Sequence, residues 1–90
     1  MTAEATTTTP LRWDDAEGVH IDVRGLPAPQ PLVAILRLVH QQDEVGCPVI
    51  VHHDRDPALL YPELAQRGWH ALRIEGDPGE VRLRLSRDDA

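Results

Sequence analysis

Residues 19–32 read VHIDVRGLPAPQPL, and the change of period inside this stretch decides the fold. Val19, Ile21 and Val23 alternate with His20 and Asp22, the two-residue repeat of a strand with one covered face. Gly25 and the prolines at 27, 29 and 31 end that repeat. From Leu32 the apolar positions Leu32, Ile35, Leu36 and Val39 recur at the spacing of one helix face, and the helix is expected to end around Asp43, before Gly46. Residues 47–53 (CPVIVHH) are rich in β-branched side chains and bounded by Gly46 and Asp54, which predicts a second strand. A strand, a helix and a strand in this order imply a right-handed parallel crossover.

Asp56 followed by Pro57 pairs an N-cap acceptor with a proline suited to the first helical turn. Pro62 would remove a hydrogen bond from one long helix, so a short turn and then a helix over 62–67, stopped by Gly68, is expected. Residues 69–75 and 81–86 read as two further strands joined by Gly76-Asp77-Pro78-Gly79. The expected fold class is an α/β two-layer sandwich of α+β type, ordered βαβαββ, with a mixed four-stranded sheet and both helices on one face. Val81, Leu83 and Leu85 should meet the helices, leaving Arg82, Arg84, His20 and Asp22 on an open, partly solvated face.

The chain has 90 residues, and 41% are hydrophobic without a single Phe, so an aliphatic core must suffice. Residues 1–17, with the run Thr6 to Thr9, are expected to form a disordered tail from which only Trp13 is suited to dock; residues 18–88 form the domain. Fifteen acidic against nine basic residues give a net charge of −6, which argues against nucleic acid as a partner and against an anionic membrane surface. Cys47 is a lone cysteine, so no internal disulfide forms, and no apolar run is long enough for a membrane span. A cytoplasmic location is the expectation.

The motif IDVRGLPAPQP resembles the TusA/SirA-like sulfur carriers, in which a strand, an Asp, a Gly-Leu pair and a Cys-Pro-x-Pro motif open the first helix of a βαβαββ sandwich. Asp22, Gly25, Leu26, Pro29 and Pro31 match, but Ala28 stands at the position of the sulfur-bearing cysteine. The chain from Ile21 to about Leu85 is more similar to a sister family, DUF2249. Asp22, Val23, Arg24, Leu26, Pro27 and Pro31 match its first motif, and His53, Asp54, Asp56, Pro57, Leu60 and Tyr61 match its second. That resemblance implies the fold and no established activity, with a frequent association with haemerythrin-like and redox-related modules.

Parallel strands release their chains at one sheet edge, where ligands favour the crevice. The candidate binding residues there are Asp22, Arg24, Gly25, Ala28, Gln30, His53 and Asp54. His52, His53 and Asp54 are a candidate metal set, although His52 and His53 must point to opposite faces of a strand. His20 is expected roughly 10 Å from that cluster. Asp54 and Asp56 are otherwise expected to cap the second helix. No catalytic constellation or phosphate-loop pattern occurs, so the expected function is a small non-enzymatic binding or accessory protein whose cofactor is unknown and whose partner is another protein or a small ligand. The alternatives are a sulfur-transfer protein using Cys47 and a metal- or redox-cofactor-binding module using His53 and Asp54.

Overall fold

The computed structural model describes residues 10–88. Strands β1 (Leu11–Asp15) and β2 (Gly18–Asp22) lead to helix α1 (Gln30–Gln42), then β3 (Val49–His53), helix α2 (Leu60–Gln66), β4 (Trp69–Ile74) and β5 (Val81–Arg87). The five strands lie in the order β1-β2-β3-β5-β4. β2 and β3 are parallel, as the crossover through α1 requires, whereas β1–β2, β3–β5 and β4–β5 are antiparallel.

The core follows from the alternation. Val19 and Ile21 of β2, Val49 and Val51 of β3, and Leu83 and Leu85 of β5 present one apolar face, on which Ile35, Leu38 and Val39 of α1 and Leu60 and Leu64 of α2 close. Trp69, the largest buried side chain, donates its indole N–H to Asp43 Oδ1 at 2.9 Å just past the end of α1, so a polar atom inside the layer is satisfied. Both helices therefore cover the same sheet face.

The sequence expectation fails at the N-terminus. Part of the expected tail forms β1, an edge strand paired antiparallel to β2, and the sheet has five strands instead of four. Every residue of β1 is exposed, so no buried face marks the strand in its sequence. Residues 1–9 of the expected tail lie outside the described residues. No helix among the described residues is long and apolar enough to cross a membrane.

α2 begins differently from the expectation as well. It starts at Leu60 with no side-chain cap, and Pro62 sits in its first turn, where the missing N–H is tolerated. Asp56 accepts the Tyr61 hydroxyl at 2.5 Å, and burial of the phenol with that bond pushes Tyr61 up to about 12. Asp54 is taken by another segment, described below.

The β1–β2 turn depends on Gly18. Its φ is +141°, and a Cβ there would lie 2.4 Å from the Pro48 carbonyl oxygen, which accepts the Val19 N–H at 3.0 Å. Gly25 also has a positive φ, +83°, but a Cβ would meet nothing within 4 Å. Gly18→Ala is expected to cost about 2–3 kcal/mol in urea unfolding and Gly25→Ala about 1 kcal/mol. Equal losses would show that the approach of Pro48 is not what constrains position 18.

Candidate functional site

The C-terminal ends of β2 and β3 sit side by side, with Asp22 opposite His52. Val23 continues the pairing by donating its N–H to the His52 carbonyl at 3.0 Å. The chain then turns through Gly25, whose N–H donates to Asp54 Oδ2 at 3.0 Å. Asp54 thus ties the loop after β3 to the loop after β2, and the Gly25 N–H, with the Arg55 guanidinium beside it, holds its carboxyl down at about 2. Arg24 folds back on Asp22, donating from Nε and Nη2 at 3.0 and 2.8 Å, which lowers the Asp22 carboxyl and raises the guanidinium. The charges at this edge are largely spent on one another.

Beyond the tie lies a groove of about 280 Å³ between the start of α1 and the segment before α2. Leu26, Ala28, Pro29, Pro31 and Leu32 form one wall, Pro57 to Leu60 the other, and His53, Arg55 and Asp56 complete it. The Ala28–Pro29 peptide is cis. The prolines make this wall apolar as well as rigid, because neither Pro29 nor Pro31 offers an N–H.

His53 is 3% exposed and lies on the helix side of β3, as its alternation with Val49 and Val51 predicts. Its Nδ1 accepts the Asp54 backbone N–H at 2.9 Å and has Asp54 Oδ1 at 3.1 Å. Nothing among the described residues bonds Nε2. A buried polar atom with no protein partner is uncommon, and this one belongs to a residue lining the groove.

Of the expected binding residues, Ala28 and His53 line the groove, while Asp22, Arg24, Gly25 and Asp54 build the rim that fixes it. Gln30 falls outside, on a separate depression with Val33 and Arg37. The expected metal set does not assemble: His52 points to the open sheet face, and Asp54 turns toward His53 and Gly25 instead of joining His52. Arg55 and the apolar wall of residues 57–60 were not anticipated. They follow a strand end in irregular chain, where no periodicity reveals which side chains meet. Cys47 lies partly buried against the core, ahead of β3 and so at the other end of that strand.

The open face also differs from the expectation of a partly solvated surface. His20 and His52 are 4% and 6% exposed there, with Glu80 at 8%. His20 is bonded to His52, not distant from it: Nδ1 of one lies 2.8 Å from Nε2 of the other, because the parallel register sets His20 opposite Ile50 and so places the two rings diagonally, two rungs apart on the same face. His20 Nε2 meets Asp15 Oδ1 at 2.9 Å, and His52 Nδ1 meets Glu80 Oε2 at 2.5 Å. Trp13 of β1 stacks on both rings, with centroids 4.9 and 5.1 Å away. Burial alone would raise the Glu80 carboxyl, but the bonds from Arg82, the Asp77 N–H and His52 outweigh it and hold the group at about 2. Asp15, Glu17 and His20 bring ligand-type atoms within 4.8 Å of one another, but the His20 nitrogen in that group already bonds Asp15, so the cluster reads as a hydrogen-bonded one.

The profile of an uncharacterised conserved protein family, DUF2249, matches residues 20–87. The crystal structure of a SirA-like protein from Desulfitobacterium hafniense is similar with a TM-score of 0.65 and 23% identity, covering 74% of this chain and 93% of that one. This likeness shows the shared fold. No curated protein matches the chain. With both motifs and all strands from β3 onward inside the matched span, the chain belongs to the DUF2249 family.

Proposed function

We propose that this protein is a non-enzymatic binding module that holds a small ligand in the groove between the start of α1 and the 53–60 segment. The ligand has an apolar body and one hydrogen-bond acceptor. The observation that carries the reading is His53: a buried imidazole lining an apolar groove, with Nε2 unbonded by any described residue. With Nδ1 accepting the Asp54 N–H, the ring proton sits on Nε2, which then offers a donor to whatever enters. Arg55 lines the groove and bonds Asp54 through Nε alone, so its Nη groups, which no described residue bonds, favour an acceptor that is negative, such as a carboxylate. The groove's size suits a ligand at the small end of the usual range for such sites. Ala28 provides no nucleophile, so the groove can hold a molecule without forming a bond to it.

Three outcomes test this reading. Butyrate, hexanoate and benzoate, each compared with its amide in a two-dimensional amide NMR titration, should shift residues 26–32 and 53–60, the acids binding more tightly. His53→Phe keeps a ring in place and should weaken binding about tenfold by removing one charge-assisted hydrogen bond. Shifts confined to β4 and β5 would move the site elsewhere and overturn the proposal.

Ala28→Cys should yield a thiol more acidic than the ordinary value of about 8.5, since the position precedes the positive end of α1 and Arg55 lines the same groove. The rate of alkylation against pH reads this out. A thiol at or above the ordinary value would show that the groove does not favour anions.

The rim should have its own acid signature. Asp54 is held at about 2 in the folded chain against an ordinary 3.8, so its contribution to stability is complete above 3.8 and fades as pH falls toward 2. Asp54→Asn keeps an acceptor for the Gly25 N–H but removes the titration. It should therefore flatten the loss of stability across that interval, as followed by circular dichroism.

A further inference from the structure

Asp15, His20, His52 and Glu80 form an unbroken line of hydrogen bonds beneath Trp13. The three links each join one donor to one acceptor, so the line needs three protons. The carboxylates supply none. The bond from His20 holds Asp15 below its ordinary value, and Glu80 lies at about 2 although its burial works the other way. A proton is thus required on His20 Nε2 to meet Asp15, and another on His52 Nδ1 to meet Glu80. Neutral imidazoles carry one proton each, and both are then used. The remaining link, between His20 Nδ1 and His52 Nε2 at 2.8 Å, would set two lone pairs against each other.

We propose that the His20–His52 pair holds one proton in excess of neutrality, shared between His20 Nδ1 and His52 Nε2, and that this proton latches β1 across the open sheet face. The surroundings favour a single positive charge. Asp15 and Glu17 approach His20 Nε2 at 2.9 and 3.6 Å from the β1–β2 hairpin, and Glu80 meets His52 from the chain leading into β5. Asp22 lies at the end of β2, paired with Arg24. Of the cations on the face, Arg82 is engaged by Glu80, and Arg84 lies one strand over, opposite Ile50. The ring face of Trp13 lies over both imidazoles, a position in which aromatic electron density stabilises a cation.

Loss of the proton breaks one link. Either the two ring nitrogens repel, or a ring lone pair turns to a carboxylate. β1 has no buried residue of its own, so without the line it is held by its ladder to β2, the Trp13 stack and one exposed bond from Arg12 to Gln41 of α1 at 3.0 Å. The latch therefore exists only while the shared proton is in place, and its contribution to holding β1 is lost when that proton leaves.

Nitrogen NMR on the full chain labelled in histidine tests the count. Near neutral pH, His20 and His52 together should show three ring N–H groups, one far downfield. On alkalinisation one proton should leave, and amide protection factors at Trp13 and Asp15, whose N–H groups face β2 in the ladder, should fall about tenfold while α1 stays unchanged. His52→Gln should abolish that step. If this variant does not fold, the wild-type spectra decide alone. Two ring protons while β1 remains paired, or loss of the third with no change in β1 protection, would overturn the proposal.

Discussion

The parallel register of β2 with β3 is the constraint on which everything else rests. Setting Asp22 opposite His52 brings two loops together at one end, so that Asp54 can reach the Gly25 N–H and close the rim of the groove. The same register sets His20 opposite Ile50, two rungs before His52 and on the same face, and makes a bond between rings that lie 32 positions apart in sequence. A crossover helix is what allows strands to run parallel, and α1 owes its start to the proline run. The prolines therefore act first on direction and only second on the chemistry of the wall they form.

The two faces of the sheet show opposite solutions to burial. On the helix side, aliphatic side chains from three strands and both helices exclude water; the indole N–H of Trp69 finds Asp43, and the buried imidazole of His53 opens onto the groove. On the other side a small domain has no second layer of helices, and β1 supplies a substitute in the form of one aromatic ring over paired imidazoles. Polar groups are tolerable there because each is bonded, and a partly satisfied line would be worse than an apolar one.

Much of this was legible in the sequence. The alternation of residues 19–23 and 81–85 and the helical spacing from Leu32 located the elements and their inner faces, because burial on one side leaves a period in the chain. The opposite orientation of His52 and His53 followed from the same rule. β1 was not legible, since an edge strand exposed along its whole length has no period to show, and its threonine-rich neighbour suggested a tail. The histidine line was hidden for a different reason: its members come from four separated segments, and only register, which depends on tertiary pairing, sets them in contact. The groove wall at 57–60 belongs to irregular chain, where local preference says little about neighbours.

His52 and His53 are adjacent, yet one serves the seam under Trp13 and the other the groove. In a pleated strand a slip of one position turns every side chain to the opposite face. For most strands such a slip is penalised by the apolar residues it exposes. Here it would also exchange the two imidazoles, leaving Glu80 without its nitrogen and the groove without its donor, so the dipeptide works as a keying device that rejects the neighbouring registers of β3 twice over.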